Sequence, residues 1–241
     1  MKIILALSIL FTITASSQDT TSKFDYDNKI QKISDEKYQI KVVGYDSLSH
    51  TEGCFLGWMN TSKGKPDGEL VVLDENGKRR YLAKYKGGAR IGTHYAWYST
   101  GEVFSVTNWE TDMYFNTKGY YESGKILYTS VNGNRENAVY TSYYENGKVE
   151  SITDYSAQIE RTFYDNGQIK TDRSKTKKTY TEWYRNGKIK LTGSLDKDTF
   201  FRIGKWSYYD EKGKLIRELF YDPKNTNWYG AEDGYLKEIK Y

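Results

Sequence analysis

Tyr143-Tyr144-Glu145-Asn146-Gly147-Lys148-Val149 is followed twenty residues on by Phe163-Tyr164-Asp165-Asn166-Gly167-Gln168-Ile169, and twenty further by Trp183-Tyr184-Arg185-Asn186-Gly187-Lys188-Ile189. Each stretch has strand-forming residues, a short turn ending in glycine, then strand-forming residues again, which is the signature of a β-hairpin. Trp97-Tyr98-Ser99-Thr100-Gly101-Glu102-Val103 and Tyr120-Tyr121-Glu122-Ser123-Gly124-Lys125-Ile126 keep the frame. Leu73 to Arg79 and Tyr208 to Leu215 read as the same hairpin with one additional loop residue. The turn glycines are then Gly77, Gly101, Gly124, Gly147, Gly167, Gly187 and Gly213, 20 to 26 residues apart. A period of that size marks a stack of repeated units.

The turn type decides which side chains share a face. A two-residue type I′ turn needs positive φ at both central positions, which β-branched Thr100 before Gly101 tolerates poorly. A three-residue loop, a type I turn followed by a left-handed glycine in a G1 bulge, asks for it at glycine alone. That loop predicts the pairs Trp97–Val103, Tyr120–Ile126, Tyr143–Val149, Phe163–Ile169 and Trp183–Ile189, which the bulk of their side chains assigns to the core face. The next residue of each first strand points the other way, so Tyr98, Tyr121, Tyr144, Tyr164 and Tyr184 lie opposite Glu102, Lys125, Lys148, Gln168 and Lys188. The longer loop expected before Gly213 pairs Tyr208 with Leu215 and adds Tyr209 to this tyrosine row.

Composition agrees. The 241 residues include 24 Tyr and 21 Gly but only 2 Pro; aromatics reach 16% while all hydrophobics reach 37%. Ring-rich, glycine-punctuated sequence favours strands and turns over helix bundles. The expected fold is all-β, an elongated antiparallel sheet of repeated β-hairpins with little helix, each repeat passing order to its neighbour. Lys+Arg exceed Asp+Glu by only 36 to 32, short of the clustered basic excess of a nucleic-acid binder.

Met1-Lys2 and the apolar run Ile3 to Thr14 have the form of a secretory signal, with Ala15 and Ser17 at the −3 and −1 positions of a cut before Gln18. The expected plan is a signal peptide at 1–17, a polar lead-in at 18–37, leading strands at 38–66, seven hairpin repeats at 67–221 and a C-terminal cap at 222–241. Export to the periplasm, cell surface or medium follows, with no transmembrane span after signal removal.

The repeated frame aromatic-Tyr-x-Asn-Gly-Lys-aliphatic resembles the MORN-repeat variant of YwqK-type antitoxin proteins from bacterial toxin–antitoxin modules, over about Asp67 to Tyr221. The resemblance implies a β-repeat protein that binds or scaffolds other molecules without catalysis, with antitoxin- or immunity-like action among its roles. Gly204-Lys205-Trp206-Ser207-Tyr208-Tyr209-Asp210 also resembles the aromatic hairpins of choline-binding cell-wall repeats.

Chemistry-bearing motifs are few. Two histidines, His50 and His94, and a single cysteine, Cys54, supply neither a zinc site nor a disulfide. Lys86-Gly87-Gly88-Ala89-Arg90 lacks the spacing of a phosphate loop. Asp196 and Asp198 read as a solvated loop, and Lys175, Lys177 and Lys178 as a solvated hairpin end. The sequence therefore predicts no cofactor, no metal and no enzyme activity. Candidate binding residues are Tyr98, Tyr121, Tyr144, Tyr164, Tyr184 and Tyr209, a row with two readings. Its rings either cover lysine stems and stiffen the sheet, or form a platform for a protein partner or an envelope glycan.

Overall fold

The computed structural model describes residues 29–34, 37–46, 51–62, 65–74, 76–196, 201–222 and 234–241, with side chains described from Ser62 onward. The expected signal peptide, residues 18–28 of the lead-in, His50, the Cys54 thiol, Asp198 and residues 223–233 of the expected cap lie outside this description. Among the described residues there is no helix.

The chain divides into two units, Met1–Gly124 and Lys125–Tyr241. The first holds β1 (Lys29–Ser34), β2 (Lys37–Asp46), β3 (Thr51–Ser62), β4 (Lys65–Leu73), β5 (Arg79–Lys86), β6 (Ala89–Arg90), β7 (Gly92–Trp97), β8 (Val103–Trp109) and β9 (Phe115–Tyr120). These strands pair antiparallel in chain order, except that β5 takes both the short β6 and β7. β1 lies within the stretch read as a polar lead-in. Its Lys-Ile-Gln-Lys alternation matches that of β2, placing Ile30 opposite Ile40.

The second unit runs β10 (Ile126–Gly133), β11 (Val139–Tyr143), β12 (Val149–Asp154), β13 (Ile159–Phe163), β14 (Ile169–Ser174), β15 (Thr179–Trp183), β16 (Ile189–Leu195), β17 (Arg202–Tyr209), β18 (Leu215–Tyr221) and β19 (Lys237–Lys240). Each strand pairs antiparallel with the next.

The glycine loops have the predicted geometry. Tyr144 donates its N–H to the Lys148 carbonyl at 2.8 Å and accepts from Gly147 N–H at 2.8 Å, with Gly147 at φ 84°. The register gives Tyr143–Val149, Phe163–Ile169, Trp183–Ile189 and Trp97–Val103, each beside a bulge.

Two hairpins depart from the expected frame. Tyr209, not Tyr208, pairs with Leu215, and Asp210 donates its N–H to the Lys214 carbonyl at 2.9 Å. The first hairpin matches, with Leu73 opposite Arg79 and Asp74 bonded to Lys78. There is no additional loop residue. The left-handed glycine sets the loop, so the residue three positions before it closes the turn, and here that residue is Asp. Its Oδ1 accepts from Asn76 and Lys78 N–H at 3.0 and 2.9 Å in one hairpin, and from Lys212 and Lys214 N–H at 2.9 and 2.8 Å in the other. Tyr209 consequently belongs to the Trp183 row and leaves the tyrosine row.

The core face is also opposite to the expected one. Alternation from the cross-strand pairs puts Tyr143, Phe163, Trp183 and Tyr209 on one face with Thr141, Ile152, Arg161, Asp172, Thr181 and Ser207 beneath them. The buried cluster Leu191, Leu195, Trp206, Tyr208, Leu219 and Tyr221, with Tyr180 packed on it, belongs to the face of Tyr184. In the first unit Leu70 and Ala83, packed by Val72, Tyr81 and Tyr85, likewise lie on the face of Tyr98. Ile189 is 39% exposed while Trp206 is fully buried. The physical reason is burial: both faces continue inward with apolar side chains, as Val71, Leu82, Tyr95 and Val106 do on the Trp97 side, but those are half-buried, whereas the buried cluster of each unit lies on the tyrosine face. Trp206 closes this core by lying flat on its cross-strand partner Gly193, where a Cβ would sit 2.2 Å from the indole.

Candidate functional site

The repeated frame is a set of donors aimed at the next hairpin. Tyr144 donates its hydroxyl to the Phe163 carbonyl at 2.7 Å, Asn146 its Nδ2 to the Asp165 carbonyl at 2.8 Å, and Lys148 its Nζ to the Asn166 carbonyl at 2.8 Å. Forty residues on, Tyr184 reaches the Tyr209 carbonyl at 2.8 Å, Asn186 the Glu211 carbonyl at 2.8 Å, and Lys188 the Lys212 carbonyl. Tyr164 bonds the Trp183 carbonyl at 2.8 Å, and in the first unit Tyr98 bonds that of Tyr120 at 2.7 Å. Each asparagine also caps its own loop: the Oδ1 atoms of Asn146, Asn166 and Asn186 accept from the N–H of Lys148, Gln168 and Lys188 at 2.9 to 3.0 Å.

Carbonyls near a glycine turn have lost their ladder partners, and these side chains satisfy them. The Tyr144 and Tyr164 phenols are held above their ordinary pKa by burial first and by a neighbouring carboxylate second, Glu150 and Glu182 respectively. A neutral phenol is the form that donates. Of the six candidate residues, Tyr98, Tyr144, Tyr164 and Tyr184 therefore share one position and one bond to the following hairpin. Tyr121 holds the same loop position, its carbonyl accepting from Gly124 N–H at 2.9 Å. Tyr209 receives such a bond instead of making one.

The reverse face of the second unit brings together residues that the sequence assigned to the interior. Tyr143 with Val149, Phe163 with Ile169, Trp183 with Ile189 and Tyr209 with Leu215 form successive cross-strand pairs, all half-buried except the more exposed Ile189. Beneath them Arg161 and Asp172 form an ion pair at 3.2 Å. An aromatic–aliphatic stripe edged by charge is the composition of a recognition surface.

In the first unit, His94 is 2% exposed. Its Nε2 lies 3.0 Å from the Lys84 carbonyl and its Nδ1 3.2 Å from the Tyr81 hydroxyl. Nε2–H donating and Nδ1 accepting satisfies both contacts and defines a neutral imidazole. Tyr85 and Trp109 rings pack within 5.8 Å of it. Burial pushes the His94 pKa below its usual value, opposed by its backbone hydrogen bonds, with the nearby Arg90 charge lowering it further. Sequence reading missed this residue because it considered histidine only as a ligand. The signal available was the alternation His94-Tyr95-Ala96-Trp97.

No curated protein matches the chain. Residues 136–157 and 202–222, both in the second unit, match the sequence model of the MORN repeat variant.

Proposed function

We propose that this chain is an exported, non-catalytic interaction protein that engages a protein partner through the stripe of Tyr143, Phe163, Trp183 and Tyr209. MORN repeats are in general modules of protein and membrane interaction. The observation that carries the reading is the division of labour between faces. The tyrosine hydroxyls are spent on neighbouring hairpins, whereas Phe163 and Trp183 contribute rings to a half-exposed face. Export rests on the apolar run after Met1-Lys2, and an antitoxin-like role on the repeat frame alone.

The test joins two measurements. A partner captured from the native envelope fraction and then purified should bind the Phe163→Ala and Trp183→Ala variants at least about 1 kcal/mol more weakly, with little loss of melting temperature. Tyr164→Phe should bind normally. Full binding by the Phe163→Ala/Trp183→Ala double variant removes the stripe from the interface. Retention of the protein on purified polysaccharide, abolished by the same substitutions, would assign the stripe to a glycan instead.

A further inference from the structure

Beside the stripe, and sharing Tyr209 with it, a cavity of about 350 Å³ opens in the second unit. Its lining includes Tyr180, Tyr184 and Tyr208 together with Lys190, Arg202, Arg217 and the carboxylate Glu182. Glu182 is engaged by Lys190, whose Nζ donates to Oε1 at 2.8 Å.

The two guanidinium groups meet at one buried side chain. Arg202, 3% exposed, donates to the Tyr208 hydroxyl and at 3.3 Å to that of Tyr221, with its guanidinium 4.2 Å from the centre of the Trp206 ring. Arg217 lies over the Tyr208 ring itself at 4.3 Å and 3.8 Å from Glu238. Tyr208 thus has one cation on its hydroxyl and another on its ring face. Arg217, 30% exposed, keeps Glu238 beside it, and both arginines line the cavity. Guanidinium forks match the oxygens of carboxylates and phosphates, and tyrosine faces accept flat bodies. The volume lies within the range of small-molecule pockets.

We propose that this cavity is a binding site for a small organic anion, its carboxylate or phosphate held by Arg202 and Arg217 and its ring or apolar body against Tyr180 and Tyr184. Lys190 stands at the same wall, where its ion pair with Glu182 offsets the repulsion that carboxylate would exert on an anion. Neither the repeat frame nor the stripe requires such a site.

Benzoate, phenyl phosphate and neutral benzyl alcohol, titrated separately into the full-length protein, provide the test. Binding is read by calorimetry and by the indole N–H resonance of Trp206, which donates to the Ser194 carbonyl at 3.1 Å. At least one of the two anions should bind in the millimolar range or better and shift that resonance, with benzyl alcohol at least tenfold weaker. Which anion binds decides between carboxylate and phosphate. Arg217→Gln should weaken the bound anion about tenfold and Lys190→Gln severalfold, while both variants keep the wild-type melting temperature to within a few degrees. Arg202 is part of the core, so Arg217 carries the test. Equal binding of benzyl alcohol, unchanged affinity in both variants, or no binding of either anion would each overturn the assignment.

Discussion

Gly193 shows how much one missing methyl group can decide. The Trp206 indole occupies the space above it, and a Cβ there would meet ring atoms at 2.2 to 2.4 Å. A rigid, fully buried ring cannot give way by a rotamer change, so Gly193→Ala should cost about 3 kcal/mol in urea unfolding of the second unit. The hydroxyl of Tyr164 is a smaller matter. Tyr164→Phe leaves the ring and removes one donor to the Trp183 carbonyl, for an expected loss of about 1 kcal/mol in the same measurement. His94 makes a prediction about pH. Its folded pKa lies below the unfolded value near 6.5, so the unfolded chain takes up the proton first. Its contribution is therefore complete above about pH 6.5 and is lost on acidification from there toward the folded pKa. His94→Gln should flatten the slope of stability against pH in that window, above the range where carboxylates titrate. An unchanged slope would show that the ring is not held neutral by its site.

At the scale of the hairpin, the glycine fixed a great deal in advance. Reasoning from Thr100 that only the glycine could be left-handed identified the three-residue loop and four of its cross-strand pairs. The same reasoning, applied by counting back from glycine rather than forward from tyrosine, would have placed Asp74 and Asp210 correctly. Of the far turns, the exposed one at Lys175–Lys178 agrees with the reading of its lysines as a solvated hairpin end, while Tyr155–Gln158 was not legible. Tyr155–Gln158 and Lys175–Lys178 close hairpins with Gln158 at φ 52° and Lys178 at φ 56°, and neither turn contains a glycine to announce it. An L-residue in that region is strained by roughly 1 kcal/mol. Lys178→Gly should therefore raise stability by up to about 1 kcal/mol at equilibrium, less the extra entropy of the unfolded chain. A loss would mean that the lysine stem contributes packing. Asp154 and Ser174 at the head of these turns cap Ala157 and Lys177 N–H at 2.9 and 3.1 Å, a function readable from their types but not from their spacing alone.

At the scale of the whole molecule, the all-β class and the succession of hairpins follow from period and turn chemistry, while the identity of the buried face does not. Hairpin ends bear rings on both sides, so a motif confined to seven residues around each glycine cannot say which side continues into a core. The answer lies deeper in the strands, where Leu191, Trp206, Tyr208 and Leu219 in one unit and Leu70, Tyr81 and Ala83 in the other line the tyrosine face. That shared sidedness makes the tyrosine row a structural feature of both units.

The face assignment is tested most directly by hydroxyl-radical footprinting of the folded protein, with modification of each aromatic residue read by mass spectrometry. Phe163 and Trp183, half-buried, should be modified many times faster than the fully buried Trp206 and the nearly buried Tyr208, after correction for intrinsic reactivity. Protection of Trp183 and Phe163 together with rapid modification of Trp206 would contradict the assignment and return the core to the opposite side of the sheet.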